Sequence, residues 1–212
     1  MDHPTSLDPH AVASETSRIA LRVALAVAAM FLLLSWADAA TTNAMLSDPN
    51  GRELNDHLLD RFGRLGLGFW ASHLVLALAL AEAARRGVGG MAALVPHLEQ
   101  RSVRDVFRFG TNEGGLRSWR LLVTVTDVLL QGLIGPVSNL AEGARGFGVP
   151  GILVRVGTIV LGDKADVQSW VHYPAIYTVS ILGFVFAAPI SRAIIRRIVR
   201  AHPAVWTPVQ AG

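Results

Sequence analysis

Residues 19–42 read IALRVALAVAAMFLLLSWADAATT, and this stretch decides what kind of protein the chain is. A helix needs about 20 mostly apolar residues to cross the roughly 30 Å hydrocarbon core of a bilayer. Only Arg22, near the start of the stretch, and Asp38, near its end, carry a charge. The sequence therefore predicts a transmembrane helix over residues 19–42.

Three further runs have a similar length and composition, at residues 65–84, 121–140 and 171–190. Each run is long enough to cross the membrane, so the three are expected to be the second, third and fourth spans. A fifth apolar run, at residues 149–162, is too short to cross the membrane and contains Arg155. We expect this run to form an interfacial or re-entrant segment.

The predicted fold is all-α: an integral membrane helical bundle with about four transmembrane helices plus short interfacial helices. Residues 18–200 form a single transmembrane domain in this prediction. A polar N-terminal tail (residues 1–17) precedes the domain, and a cytoplasmic tail (residues 201–212) follows it.

The composition supports a membrane protein and excludes several kinds of site. Hydrophobic residues make up 51% of the chain and charged residues only 17%, whereas soluble proteins average about 25% charged residues. The chain contains no cysteine. Thiolate zinc sites, iron–sulfur clusters and cysteine nucleophiles are therefore excluded.

Basic residues are unequally distributed between the two sides that four spans create. Four spans place both termini on one side, and the more basic side of a membrane protein is usually cytoplasmic. Thirteen of the nineteen basic residues lie on the side of the termini: Arg18, Arg22, Arg85, Arg86, Arg101, Arg104, Arg108, Arg117, Arg120, Arg192, Arg196, Arg197 and Arg200. The N- and C-termini are therefore expected in the cytoplasm.

The expected location is a bacterial inner (plasma) membrane, because the chain has a single lysine, Lys164, among many arginines and alanines. The arginine bias also accounts for the sequence pI near 10.1, so we expect no nucleic-acid partner. An alternative for the first span is a cleaved signal peptide, since Arg18 and Arg22 precede an apolar run that ends in Ala-Asp-Ala at residues 37–39. Cleavage would leave the remaining topology unchanged.

The polar residues of the third span fall on one side of the predicted helix. At 100° per residue, five of them lie within about 60° of one another: Arg120, Thr124, Asp127, Gln131 and Ser138. Ionisable groups in hydrocarbon cost about 2.5–3.5 kcal/mol each, so they are expected to face the bundle interior. One interpretation is a proton or ion path along Asp127, Gln131 and Thr124, and the other is a set of interhelical hydrogen bonds.

A second candidate site combines Asp38 of the first span with His73 of the second. Both residues are expected near the outer side of the membrane, and a carboxylate that fixes a histidine tautomer recurs in metal ligation and proton transfer. His73 and His172 are also candidates for axial ligation of haem b. No span carries two histidines a few turns apart, so no cofactor is predicted and haem is the alternative.

The connection between the second and third spans contains a basic amphipathic segment, from Arg101 to Phe109. Arginines alternate there with apolar residues, and Ser102 and Asp105 fit a helix cap. Such a segment is suited to anionic lipid headgroups or to a partner protein.

The function expected first is a non-enzymatic integral membrane subunit, or an accessory or assembly factor, of a larger inner-membrane complex. Its partners would be other membrane protein subunits or further copies of this chain. The alternative is a small oligomeric proton- or ion-coupled transporter that uses Asp127 and Asp38. A third interpretation is a haem-binding protein or intramembrane enzyme that uses His73 and His172.

Overall fold

A computed structural model describes residues 8–46, 66–108, 113–145, 149–161 and 172–206. These residues are 95% helical and contain no strand. Their α-helices are α1 (Pro9–Leu46), α2 (Leu67–Gly89), α3 (Met91–Leu94), α4 (Leu116–Arg145), α5 (Val149–Leu161), α6 (His172–Ala201) and α7 (Pro203–Trp206). Short 3-10 helices occupy Val95–Gln100, Val103–Phe107 and Glu113–Gly115.

Three helices among these residues are long and apolar enough to cross a membrane: Pro9–Ala44, Leu67–Gly89 and Glu113–Ala141. They coincide with the first three predicted spans. The fourth predicted span, residues 171–190, lies on α6 apart from residue 171, which is outside the described residues. The predicted fold class, an all-α membrane bundle, is confirmed.

Helix α1 begins well inside the segment predicted to be a polar tail. Pro9 is its first residue, and the backbone N–H of His10 donates to Oδ1 of Asp8 at 2.9 Å. Asp8 is thus an N-cap and Pro9 has the fixed φ that suits a first helical position. The tail prediction is wrong for residues 9–17 because the Asp-Pro signal for a helix start was missed. With 38 residues, α1 is about 57 Å long and exceeds the hydrocarbon thickness.

The short run predicted at residues 149–162 forms α5, which has 13 residues. Its length is about 20 Å, too little to cross the hydrocarbon core. Ile159 and Val160 of α5 are among the most exposed apolar residues. The helix is therefore observed, while its place at the membrane interface stays a prediction.

The chain packs as two compact units, although the sequence predicted a single domain. The first unit comprises the described residues within 1–28, 79–126 and 186–212, and the second those within 29–78 and 127–185. The seven largest fully buried side chains all belong to the first unit: Trp119, Met91, Leu94, Ile195, Val88, Val123 and Ser191. Most of the arginines assigned to the cytoplasmic side belong to this unit as well.

In the first unit α2 and α4 run antiparallel and approach closely through glycines. A methyl group on Gly87 would lie 2.8 Å from Cγ of Leu122, and one on Gly90 would overlap the hydroxyl of Ser118. Small residues at such crossings let helix backbones come together, which is the common packing mode of membrane helices.

In the second unit α1 and α4 run parallel, as expected if one further span separates them in the chain. Three contacts define their packing: Gly132 against Leu34, Gly135 against Asp38, and Asn139 against Thr42. Residue numbers rise together along the two helices, so the direction of packing follows from these contacts.

Gly115 provides a test of the first unit. Its φ is +68°, and a methyl group there would overlap the backbone of Leu94. We expect Gly115→Ala to lower the stability of the protein by more than the about 1–2 kcal/mol that a left-handed conformation costs an L-residue. The measurement is thermal unfolding in detergent, followed by tryptophan fluorescence, since Trp119 is fully buried in the same unit.

Gly89→Ala is the matched control for this experiment. Gly89 has open space where its side chain would be and no positive φ, so an alanine is expected to be neutral or slightly stabilising. Equal unfolding midpoints for the two variants would contradict the packing of Gly115 against Leu94.

Candidate functional site

Asp127 lies at the middle of the third candidate span, Glu113–Ala141, and is 3% exposed. Its Oδ2 accepts a hydrogen bond from Nε2 of Gln131, one turn later on α4, at 2.9 Å. Its Oδ1 is buried and has no hydrogen-bond partner among the described residues. One oxygen of this carboxyl group is therefore satisfied and the other is available.

Gly183 of α6 faces the carboxyl group of Asp127. A methyl group on Gly183 would overlap Oδ1 of Asp127 and lie 3.1 Å from Cγ of Gln131. The missing side chain of Gly183 therefore provides the space that Asp127 occupies. Sequence reasoning did not identify Gly183, because the spacing within one helix does not reveal which residue of another helix lies opposite.

The other residues of the predicted polar stripe do not all face the interior. Thr124 is exposed and Ser138 is half-buried, so the expectation of one shared interior face is wrong at Thr124. The fully buried Val123 lies about 40° from Asp127 around α4, whereas Thr124 lies about 60° away on the opposite side. The buried side of α4 is thus rotated away from Thr124.

Asp38 takes part in an interhelical polar contact in the second unit. Nδ2 of Asn139 lies 3.3 Å from Oδ1 of Asp38 and 3.3 Å from the hydroxyl oxygen of Thr42. A methyl group on Gly135 would be 3.3 Å from the same carboxylate oxygen. Hydrogen bonds of this kind join membrane helices and contribute about 0.6 kcal/mol on average, so this contact is structural in type.

The predicted pair of Asp38 and His73 is not formed. Nδ1 of His73 lies 2.8 Å from the carbonyl oxygen of Phe69, and the ring stacks on Phe69 and on Phe31. Phe31 precedes Asp38 by seven residues, which is about 10 Å along α1. The prediction was wrong because it estimated depth from the span ends, while the packing of α1 on α2 places His73 beside Phe31.

The hydrogen bond to Phe69 places a hydrogen on Nδ1 of His73, since a carbonyl oxygen only accepts. The side chain of His172, the other haem candidate, is outside the described side chains. Among the described residues there is no group of three or more histidine, cysteine, aspartate or glutamate residues arranged to hold a metal ion.

The described part of the predicted basic segment, residues 101–108, forms a capped turn in the arginine-rich part of the first unit. Ser102 and Asp105 form the predicted cap, with reciprocal hydrogen bonds at the start of the 3-10 helix Val103–Phe107. The helix is shorter than the predicted segment, whose last residue, Phe109, lies outside the described residues. Phe107 is 59% exposed beside the exposed Arg108.

Side chains from α4 and α6, together with Arg101 of the connection itself, hold the described part of this connection in place. Trp119 donates to the carbonyl oxygen of Ser102 at 2.9 Å, Arg101 to that of Gly114 at 2.5 Å, Arg192 to that of Arg101, and Arg196 pairs with Glu99. The guanidinium of Arg192 also lies 6.0 Å from the centre of the Trp119 ring. The described part of the connection is therefore fixed against the rest of the first unit.

Asp105 is the acidic residue at the centre of the capped turn, and it lies outside the candidate spans. Burial raises its pKa, but hydrogen bonds from the backbone N–H of Ser102, the guanidinium of Arg108 and the hydroxyl of Ser102 lower it by more. The net result is a pKa below the ordinary value of 3.8. The folded turn therefore favours the ionised carboxylate.

Comparison with known proteins gives no relative for this chain: no protein-family model, curated protein or solved structure matches it. Its function is therefore argued from the geometry of its own residues.

Because of the capped turn, we expect the first unit to lose stability at acid pH. Because the pKa of Asp105 is lower in the folded protein than in the unfolded chain, its stabilising contribution is complete above pH 3.8 and is lost as the pH falls through the folded-state pKa. We expect the unfolding temperature in detergent to fall across this acid range.

Asp105→Asn is the control, since an amide keeps the shape of the side chain and does not titrate. The variant should unfold at a lower temperature than the native chain near neutral pH, and the difference between the two unfolding temperatures should decrease on acidification. A difference that stays constant between neutral and acid pH would contradict the assigned role of the Asp105 carboxylate.

Proposed function

We propose that this chain is a non-enzymatic integral membrane subunit, or an accessory or assembly factor, of a larger complex in a bacterial inner membrane. In this proposal both termini are cytoplasmic and the arginine-rich end of the first unit faces the cytoplasm. The observation that carries the proposal is the fastening of the connection between α2 and α4. Four side-chain contacts hold the described backbone on either side of the short helix Val103–Phe107, which carries an exposed aromatic ring.

A fixed turn with an exposed ring is suited to recognition. Holding the backbone in advance lowers the entropy that a partner must overcome on binding, and exposed aromatic side chains are enriched at protein interfaces. Phe107 satisfies both conditions, because the capping box of Ser102 and Asp105 fixes the helix that bears it. We assign the Phe107 surface to a partner membrane subunit.

The arginines beside Phe107 suit the cytoplasmic headgroup layer. Arg104 and Arg108 are exposed on the same turn, and each arginine near an anionic membrane surface is worth about 1 kcal/mol. In this proposal they contact lipid headgroups and keep the Phe107 surface at the level of the membrane, where another membrane subunit reaches it.

Co-purification from native membranes tests this proposal. The tagged chain is extracted in a mild detergent, and the eluate is quantified by mass spectrometry. We expect one or more membrane proteins to co-purify in a fixed ratio to the native chain. Phe107→Ser should reduce that ratio several-fold, because it removes the apolar ring and leaves the capping residues unchanged.

Ile159→Ser is the matched control, since Ile159 is an apolar residue of α5 that is 82% exposed in the second unit. This variant should retain the partners of the native chain. A native chain that purifies alone, or an equal loss of partners in both variants, would contradict the docking role of Phe107.

A second candidate function is a small oligomeric proton- or ion-coupled transporter, and one observation favours it. The Oδ1 atom of Asp127 is buried at the centre of a candidate span with no partner among the described residues. In proteoliposomes a transporter of this kind should show proton-dependent flux that Asp127→Asn abolishes and Asp38→Asn retains, since Asp38 lies in the structural contact with Asn139. Absence of flux in the native chain would remove this candidate.

A further inference from the structure

The surroundings of Asp127 do not fit an ionised carboxylate. An ionised group in an apolar interior is very costly unless it is paired, and such a group becomes neutral instead. Gln131 supplies one uncharged donor to Oδ2, and Oδ1 has none among the described residues. Gly183, opposite Oδ1, contributes no side chain at all.

None of the charged groups described in the second unit is placed to compensate Asp127. Asp38 contacts Asn139, which is twelve residues further along α4 and so about 18 Å away. The ring of His73 is held between Phe31 and Phe69. The remaining ionisable side chains described in this unit, Arg155 on α5 and Tyr177 on α6, are exposed.

We propose that Asp127, Gln131 and Gly183 form a site that binds one proton within the membrane, with the proton on Oδ1 of Asp127. The uptake is a simple acid–base step, in which a proton from water joins the carboxylate to give a neutral carboxylic acid. A metal cation is a poorer occupant, because calcium and magnesium take six or more oxygen ligands and this site offers one available oxygen.

Gln131 decides which oxygen takes the proton. An amide N–H donates only to an acceptor, and in a neutral carboxylic acid the carbonyl oxygen is the better acceptor. The 2.9 Å contact from Nε2 of Gln131 therefore makes Oδ2 the carbonyl oxygen. The hydroxyl is left on Oδ1, on the side of Gly183.

The site depends on the absence of a side chain at Gly183. A single methyl group at this position would overlap Oδ1, so any other residue would displace the carboxyl group or separate α6 from α4. Gly132, on α4 itself, is a useful contrast, since a methyl group there would lie 3.5 Å from the Leu34 side chain, an ordinary van der Waals distance.

This proposal concerns Asp127, the residue of the second candidate function. It rests on that function only for what the bound proton would be used for. Binding and transport are separable, because the bound proton can be read spectroscopically in a chain that shows no flux. Failure of the flux assay therefore leaves the proton site standing, and failure of the spectroscopic assay removes the site regardless of any flux.

Infrared spectroscopy of the full chain in lipid at neutral pH tests the proposal. A protonated carboxyl group has a C=O stretching band well separated from the bands of an ionised carboxylate. The spectrum of the native chain minus that of Asp127→Asn should contain the protonated band, with an intensity of one group per chain. Asp38→Asn should retain the band, and Gly183→Ala should shift it whereas Gly132→Ala should not.

Isotope labelling provides a second measurement that needs no variant. Incorporation of aspartate labelled with 13C at the side-chain carboxyl should move the protonated band of the native chain to lower frequency. Two results would overturn the proposal: a native chain without an isotope-sensitive protonated aspartate band, or a band that disappears in Asp38→Asn and persists in Asp127→Asn.

Discussion

Hydrocarbon offers no partner to a backbone N–H or C=O group, and this constraint shapes every long element of the chain. The long described elements are helices, and three of them are apolar enough to span. The same solvent removes most of the hydrophobic gain from helix contact, since lipid tails are as apolar as leucine. Only 22–33% of the apolar windows of these helices is buried. The helices are therefore held by close approach at glycines, as at Gly87 between α2 and α4, and by polar contacts, as at Asn139 between α4 and α1.

The first unit has a further source of stability besides its glycine contacts. Its core contains the largest fully buried side chains, among them Trp119, Met91 and Leu94, and burial of such side chains from water contributes about 1.5–3 kcal/mol each. This gain exists only where the unfolded segment would meet water, which agrees with an arginine-rich end outside the hydrocarbon. In this unit the carbonyl groups of Ser102 and Arg101, in the described part of the connection, accept hydrogen bonds from Trp119 and Arg192.

The sequence predicted the properties that each helix has by itself. Length and hydropathy predicted the three helices that are long and apolar enough to span a membrane, and local side-chain chemistry predicted the cap at Ser102 and Asp105. It did not predict the properties that depend on two helices. The pairing of Asp38 with His73 failed because the register of α1 against α2 is set by packing, and depth from the span ends is too coarse to replace it. Gly183 was missed for the same reason, since its partner is on another helix.

The carboxyl groups of Asp38 and Asp127 therefore have different surroundings. Asp38 lies six residues before the end of its candidate span and accepts a hydrogen bond from an amide that also reaches Thr42. Asp127 is at the middle of its candidate span, is almost fully buried and has an amide on one oxygen only. A carboxyl group buried in this way lowers the stability of the bundle unless it is neutral, whereas an apolar residue would carry no such cost. The structure that surrounds Asp127 goes further, because the glycine opposite it leaves space for the oxygen that has no partner. Asp38 joins two helices, and Asp127 is the residue on which a transport or proton-binding role depends.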